Sequence, residues 1–193
     1  MLPERILSVI SAVLIAVPAV AQDAEGNDRP SNWRVTYQET REGWDTVCDE
    51  RGEGPDFIQR CYLRRVDVFS PRPEFAAQFL FVTASENGAS VEFGIEPGTL
   101  FVPGNFRILR DGASVWSSLH PGCLTGLSCT YSGQDAVDLL AEMETSDSFA
   151  FDFRDRHGKQ QSLRWPLARV GEGLNDLQDQ LRARNLPALP DRP

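Results

Sequence analysis

Residues 149–167 read FAFDFRDRHGKQQSLRWPL, and this stretch decides the fold class. Phe149, Phe151 and Phe153 alternate with Ala150, Asp152 and Arg154. After a turn around His157-Gly158, Leu163, Trp165 and Leu167 alternate with Ser162, Arg164 and Pro166. Successive side chains of a strand point to opposite faces, so each run presents one apolar face and one polar face. Two such runs in succession predict an antiparallel hairpin with an aromatic inner face.

The same period of two recurs upstream. Trp44–Cys48 and Arg60–Phe69 read as strands around a hydrophilic loop at Asp49–Asp56, and Phe75–Thr83 is apolar enough to lie centrally in a sheet. Ser90–Ile95 places Val91, Phe93 and Ile95 on one face. Phe106–Arg110 and Ser114–Ser118 flank Asp111-Gly112, a dipeptide that supplies positive φ to a tight hairpin turn. Two segments switch to helical spacing. Asp135–Met143 lines up Val137, Leu140 and Met143, flanked by Ala136 and Leu139, with Ser132 a candidate cap. Gly171–Ala183 lines up Leu174, Leu177 and Leu181, with acidic residues early and Arg182 and Arg184 late, complementing the helix dipole. Both stripes read as faces packed on the sheet. The expected fold is mainly β, an antiparallel β-sandwich-like single domain with two short covering helices.

Composition narrows the function classes. Of 193 residues, 41% are hydrophobic and 24% charged, which suits one domain and excludes wholesale disorder. There are 28 acidic and 19 basic residues, a formal net charge of -9, and Lys159 is the single lysine. Nucleic-acid binding needs a basic face to displace counterions, so no nucleic-acid partner is expected, and an anionic membrane surface is disfavoured on the same ground.

Residues 1–21 have the pattern of a secretory signal peptide. Arg5 precedes an apolar stretch from Ile6 to Val17, Pro18 breaks it, and Ala19-Val20-Ala21 is a small-x-small cleavage site before Gln22. The run is shorter than the roughly 20 apolar residues that span a bilayer. No transmembrane segment is expected in the mature chain, and no cysteine follows the cleavage site to carry a lipid. The expected location is periplasmic or secreted. Residues 22–32 read as a flexible lead-in, 33–184 as the β domain and 185–193, with three prolines, as a flexible tail.

Four cysteines follow the signal: Cys48, Cys61, Cys123 and Cys129. An even number in an exported chain favours disulfides. Three connectivities are open, and short loops favour Cys48 with Cys61 and Cys123 with Cys129. Neither pair has the close spacing of a zinc site, and no C-x-x-C redox motif is present.

Gly43-Trp44-Asp45-Thr46-Val47-Cys48, a hydrophilic loop and then Cys61-Tyr62-Leu63 resemble the first cysteine pair of the invasion-associated locus B family. Cys123 and Cys129 around Gly126, with a helix downstream, resemble its second pair. The order Phe149–Phe153, Leu163–Leu167, Gly171 helix is similar to its closing strand-strand-helix. The resemblance runs from about Trp33 to Leu181. It implies a small exported β-sandwich-like protein without known catalysis. The leading expectation for its function is binding of an envelope component, a protein partner or a small ligand.

Catalytic and cofactor signals are weak, and neither a catalytic residue, a metal nor a cofactor is assigned. The alternative to a binding protein is a cell-envelope hydrolase or metal-dependent enzyme using His120 or His157, the two histidines. No G-x-S-x-G accompanies them, although Ser117, Ser118 and Ser132 are within reach in sequence, and Asp155 could complete a metal site. Carboxylates such as Glu92 and Asp155 are numerous enough to form chance pairs. The loop Asp49–Gly54 lacks the ligand ladder of an EF-hand. Trp33, Trp44, Trp116 and Trp165 could line a sugar-stacking platform, although a sandwich core more commonly buries them. A third reading, a helper that holds unfolded clients, requires an unusually large exposed apolar patch.

Overall fold

The computed structural model describes residues 32–70, 76–95, 100–118, 129–155 and 158–191. Among these residues, ten strands and two α-helices run in the order β1 (Arg34–Arg41), β2 (Trp44–Arg51), β3 (Ile58–Ser70), β4 (Ala76–Ser85), β5 (Gly88–Ile95), β6 (Leu100–Arg110), β7 (Ala113–Ser118), β8 (Cys129–Ser132), α1 (Gln134–Glu144), β9 (Ser148–Asp155), β10 (Gln160–Pro166) and α2 (Val170–Ala183), with one 3-10 turn at Gly54–Asp56. The strands form two antiparallel sheets. One has six strands in the order β1-β2-β3-β4-β5-β8, the other four in the order β10-β9-β6-β7. The architecture is β-sandwich-like, as the alternating runs predict.

The core lies where the apolar faces meet. Phe93 of β5 reaches Phe106 and Phe149 of the smaller sheet, with ring centroids 4.8 and 5.3 Å away. Phe106 stacks on Phe151 at 4.1 Å, and Phe149 on Trp165 at 5.7 Å. These rings are 0–2% exposed, and β9 pairs with β10 in the expected hairpin, with Phe149 opposite Trp165 and Phe151 opposite Leu163. Asp111 and Gly112 turn β6 into β7 at φ 51° and 77°, the positive pair that a two-residue hairpin demands.

Both helical stripes are buried on the domain itself. Ala136, Val137, Leu139, Leu140 and Met143 of α1 are covered, and so are Leu174, Leu177 and Leu181 of α2. Helix α2 lies over β1–β3, close enough that a Cβ on Gly173 would stand 2.8 Å from Leu63 Cδ1. Ser132 does not cap α1. It is the last residue of β8, and the helix follows Gly133, whose φ of 60° turns the chain, without a side-chain cap.

Two local expectations change. The stretch read as a loop from Asp49 is strand as far as Arg51, because Asp49 stands opposite Arg60 in register. The tail expected after residue 184 is held as far as Leu189, which is 4% exposed. Its N–H donates to Gln178 Oε1 at 2.8 Å, and Gln178 Nε2 donates to its carbonyl at 3.5 Å. Leu186, Ala188 and Leu189 among prolines carry no periodic signal, but a buried leucine with paired backbone groups is anchored.

Candidate functional site

Cys48 and Cys61 face each other across β2 and β3 and form a disulfide, with Cα atoms 4.1 Å apart. Both are in the core, at 0% and 4% exposure, so they are sulfur partners of each other rather than metal ligands. Cys123 lies outside the described residues, and of Cys129 the backbone in β8 is described. His120 and His157 also lie outside them. Glu92 stands on β5 opposite Phe81, while the side chain of Asp155 is outside the described set. Among the described residues, no three His, Cys, Asp or Glu side chains gather as a metal would require, and no helix is long and apolar enough to cross a membrane.

The six-stranded sheet has a second face, turned away from the core. Strand alternation that sends Cys48, Cys61, Leu63, Leu80 and Val82 inward sends Val47, Asp49, Arg60, Tyr62, Arg64, Val66, Phe79 and Phe81 outward. Asp49 is nearly buried there at 4% exposure. It accepts from Arg60 Nε at 2.7 Å, Arg60 Nη2 at 3.2 Å and Tyr62 Oη at 3.2 Å. Burial, with the Asp49 charge and hydrogen bond, pushes the Tyr62 phenol above its ordinary value. Asp45 accepts from Arg64 Nε at 3.2 Å and Thr40 Oγ1 at 2.6 Å. A cation-aromatic series crosses this face. The Arg51 and Arg60 guanidiniums sit 4.6 and 3.8 Å from the Trp33 ring centre, and Arg60 lies 5.4 Å from Tyr62. Tyr62 meets Phe81 at 5.7 Å and Phe81 meets Phe79 at 5.5 Å.

The tryptophans therefore divide. Trp44 and Trp165 are core residues at 0% and 2% exposure, and Trp116 packs against the core. Trp33 stands apart from that cluster, at the entry to β1. Beside it opens a cleft of about 630 Å³ lined by Asn32, Arg34, Glu50, Arg51, Glu53 and Phe57. Arg34 pairs with Glu50 across β1 and β2. The Gly52–Phe57 turn forms its other wall. Gly52 has φ +78°, and a Cβ there would lie 2.2 Å from the Asp56 carbonyl oxygen, so the turn closes tightly and requires glycine. Phe57 and Ile58 remain 49% and 44% exposed. The acidic residues of the Asp49–Gly54 stretch are dispersed here: Asp49 turns to Arg60, Glu50 to Arg34 and Glu53 to the cleft.

At the sheet edge, β1 pairs with β2 on one side. Asp176 of α2 fixes it from the inner face, accepting from Tyr37 Oη and Arg41 Nη1, each at 2.9 Å. Burial and the Asp176 hydrogen bond raise the Tyr37 phenol above its ordinary value. Most β1 side chains are exposed, Val35 at 55%. Sequence reading missed both this edge and the cleft. A strand half-buried only at Tyr37 and Arg41 shows no clear alternation, and the cleft joins residues from two strands and a turn without a motif.

No family model matches the sequence, and no curated protein does. Among solved structures, the chain is similar to the crystal structure of invasion associated protein B from Bartonella henselae. Sequence identity is 15% and the TM-score 0.48, over 77% of this chain and 99% of that one. That is a distant likeness of overall fold, with no bearing on ligand or activity.

Proposed function

We propose that the chain is an exported, disulfide-stabilised, non-enzymatic protein of the invasion-associated locus B type that binds a protein partner of the cell envelope. The N-terminal pattern supports export, and the Cys48–Cys61 bridge fits an oxidising compartment, since such bonds are rare in reducing ones. The observation that carries the binding reading is the edge of β1, which pairs only with β2 among the described residues and is pinned from behind by Asp176. An ordered edge strand whose outer row of N–H and C=O groups is not taken up by the sheet's described strands is a template for an added strand.

The test uses a photo-crosslinking residue at Gln38 on β1, with the same residue at Arg164 on the other sheet as control, in the native envelope. A defined protein adduct from position 38 alone is the expected result. Successive N–H groups of a strand point to opposite edges, so Glu39→Pro and Thr40→Pro, each made with the probe kept at position 38, remove one outward donor and one bonded to β2. The outward variant should lose the adduct while keeping the fold. An adduct that survives both proline variants contradicts strand addition.

A further inference from the structure

We infer that the cleft between the start of β1 and the Gly52–Phe57 turn is a binding site for a neutral oligosaccharide. This goes beyond strand addition at β1, because it has a separate occupant and, apart from Arg34 at the start of β1, separate residues. Its walls carry two cations, Arg34 and Arg51, and two anions, Glu50 and Glu53, in a chain whose net charge is -9. An anionic ligand would meet the two carboxylates, and a cationic one the two guanidiniums. A hydroxyl-rich neutral ligand both donates and accepts, so it matches both kinds of group at once. The exposed Phe57 ring, with Ile58 adjoining, offers the apolar surface against which a sugar's C–H face packs. The volume of about 630 Å³ falls within the range of small-molecule sites.

The groups are also held in place before any ligand arrives. The Arg51 guanidinium rests on Trp33, which Arg60 supports in turn, and Arg34 is held by Glu50. The turn that presents Glu53 and Phe57 is closed over Gly52. Ordering them in advance lowers the entropic cost of binding. Trp33, the tryptophan outside the core cluster, stacks on Arg51 of the cleft wall, so its emission reports on ligand contact with that guanidinium.

The experiment titrates the purified full chain with maltotetraose, cellotetraose and chitotetraose, and with tetragalacturonate as an anionic counterpart, by calorimetry and tryptophan fluorescence. At least one neutral tetrasaccharide should bind and change the emission, and Trp33→Phe should abolish that change. Arg51→Ala and Phe57→Ala should each weaken binding about tenfold or more, the effect of one charged hydrogen bond or one lost contact surface, with an unchanged melting temperature. Absence of binding by all three neutral sugars overturns the inference. So does unchanged affinity in both variants, or tetragalacturonate binding most tightly. None of these variants lies in β1, so the sugar site and the protein-docking edge fail or stand separately.

Discussion

Replacing Cys48 and Cys61 together with alanine, with Cys123 and Cys129 left in place, measures what the bridge contributes. The two residues are 13 apart in sequence. The chain-entropy model gives about 3 kcal/mol for closing a loop of roughly that length. Both sulfurs lie in the core, at 0% and 4% exposure, so deleting them leaves small voids worth about 1 kcal/mol more. The β2–β3 ladder persists without the bond, because Cys48 and Cys61 sit opposite each other by register, and no third term is added. A loss of about 4 kcal/mol corresponds to a fall in Tm of about 8–16 °C for a domain of this size. Circular dichroism melts and urea unfolding of both proteins at one pH read the difference. Because the sulfurs are buried, the native bridge should also resist a thiol reductant until the domain opens. A double variant melting within about 3 °C of the parent would refute the reasoning, since the bridge would then constrain a denatured state already constrained by other means.

Three further outcomes follow from the packing and electrostatics. Gly173→Ala places a Cβ 2.8 Å from Leu63 Cδ1, which is fully buried, and should cost about 1–3 kcal/mol in urea unfolding by overpacking. Tyr37 and Tyr62 hold their protons above the ordinary phenol value near 10, so the native state binds more protons than the unfolded one in that range. Stability from these groups is complete below about pH 10 and falls as pH rises through the native values, and the pH profile should flatten there in a Tyr37→Phe, Tyr62→Phe variant. Gln178→Ala removes both side-chain bonds to Leu189. It should cost about 1 kcal/mol and speed hydrogen exchange at the Leu189 amide, while amides of β9 stay protected.

Much of the fold was legible because one-sided burial imprints a period on the chain. The β9–β10 hairpin and the two helices each bury one face, and their apolar positions fall where the period requires. The Asp111-Gly112 turn is legible for a different reason, the backbone conformation it must adopt. β1 and β8 escaped reading. β1, an edge strand, is half-buried at Tyr37 and Arg41 and exposed elsewhere, and β8 spans four residues, too few to display alternation. Asp49 was read as a solvated loop residue because charge runs usually are. Its burial depends on Arg60 and Tyr62, eleven and thirteen residues away, and on a register that only the folded sheet defines. The cleft was invisible for the same reason. Trp33 was noticed as one of four tryptophans, but what separates it from the other three is its place outside the core.

The central claim is export of a bridged protein, and intact mass under non-reducing conditions tests it most directly, on protein isolated from the envelope fraction of its own host. The account predicts a chain beginning at Gln22, lighter by the two hydrogens that each disulfide removes, with Cys48 and Cys61 linked in the peptide map. A chain that retains Met1–Ala21 and carries free thiols at Cys48 and Cys61 would contradict it.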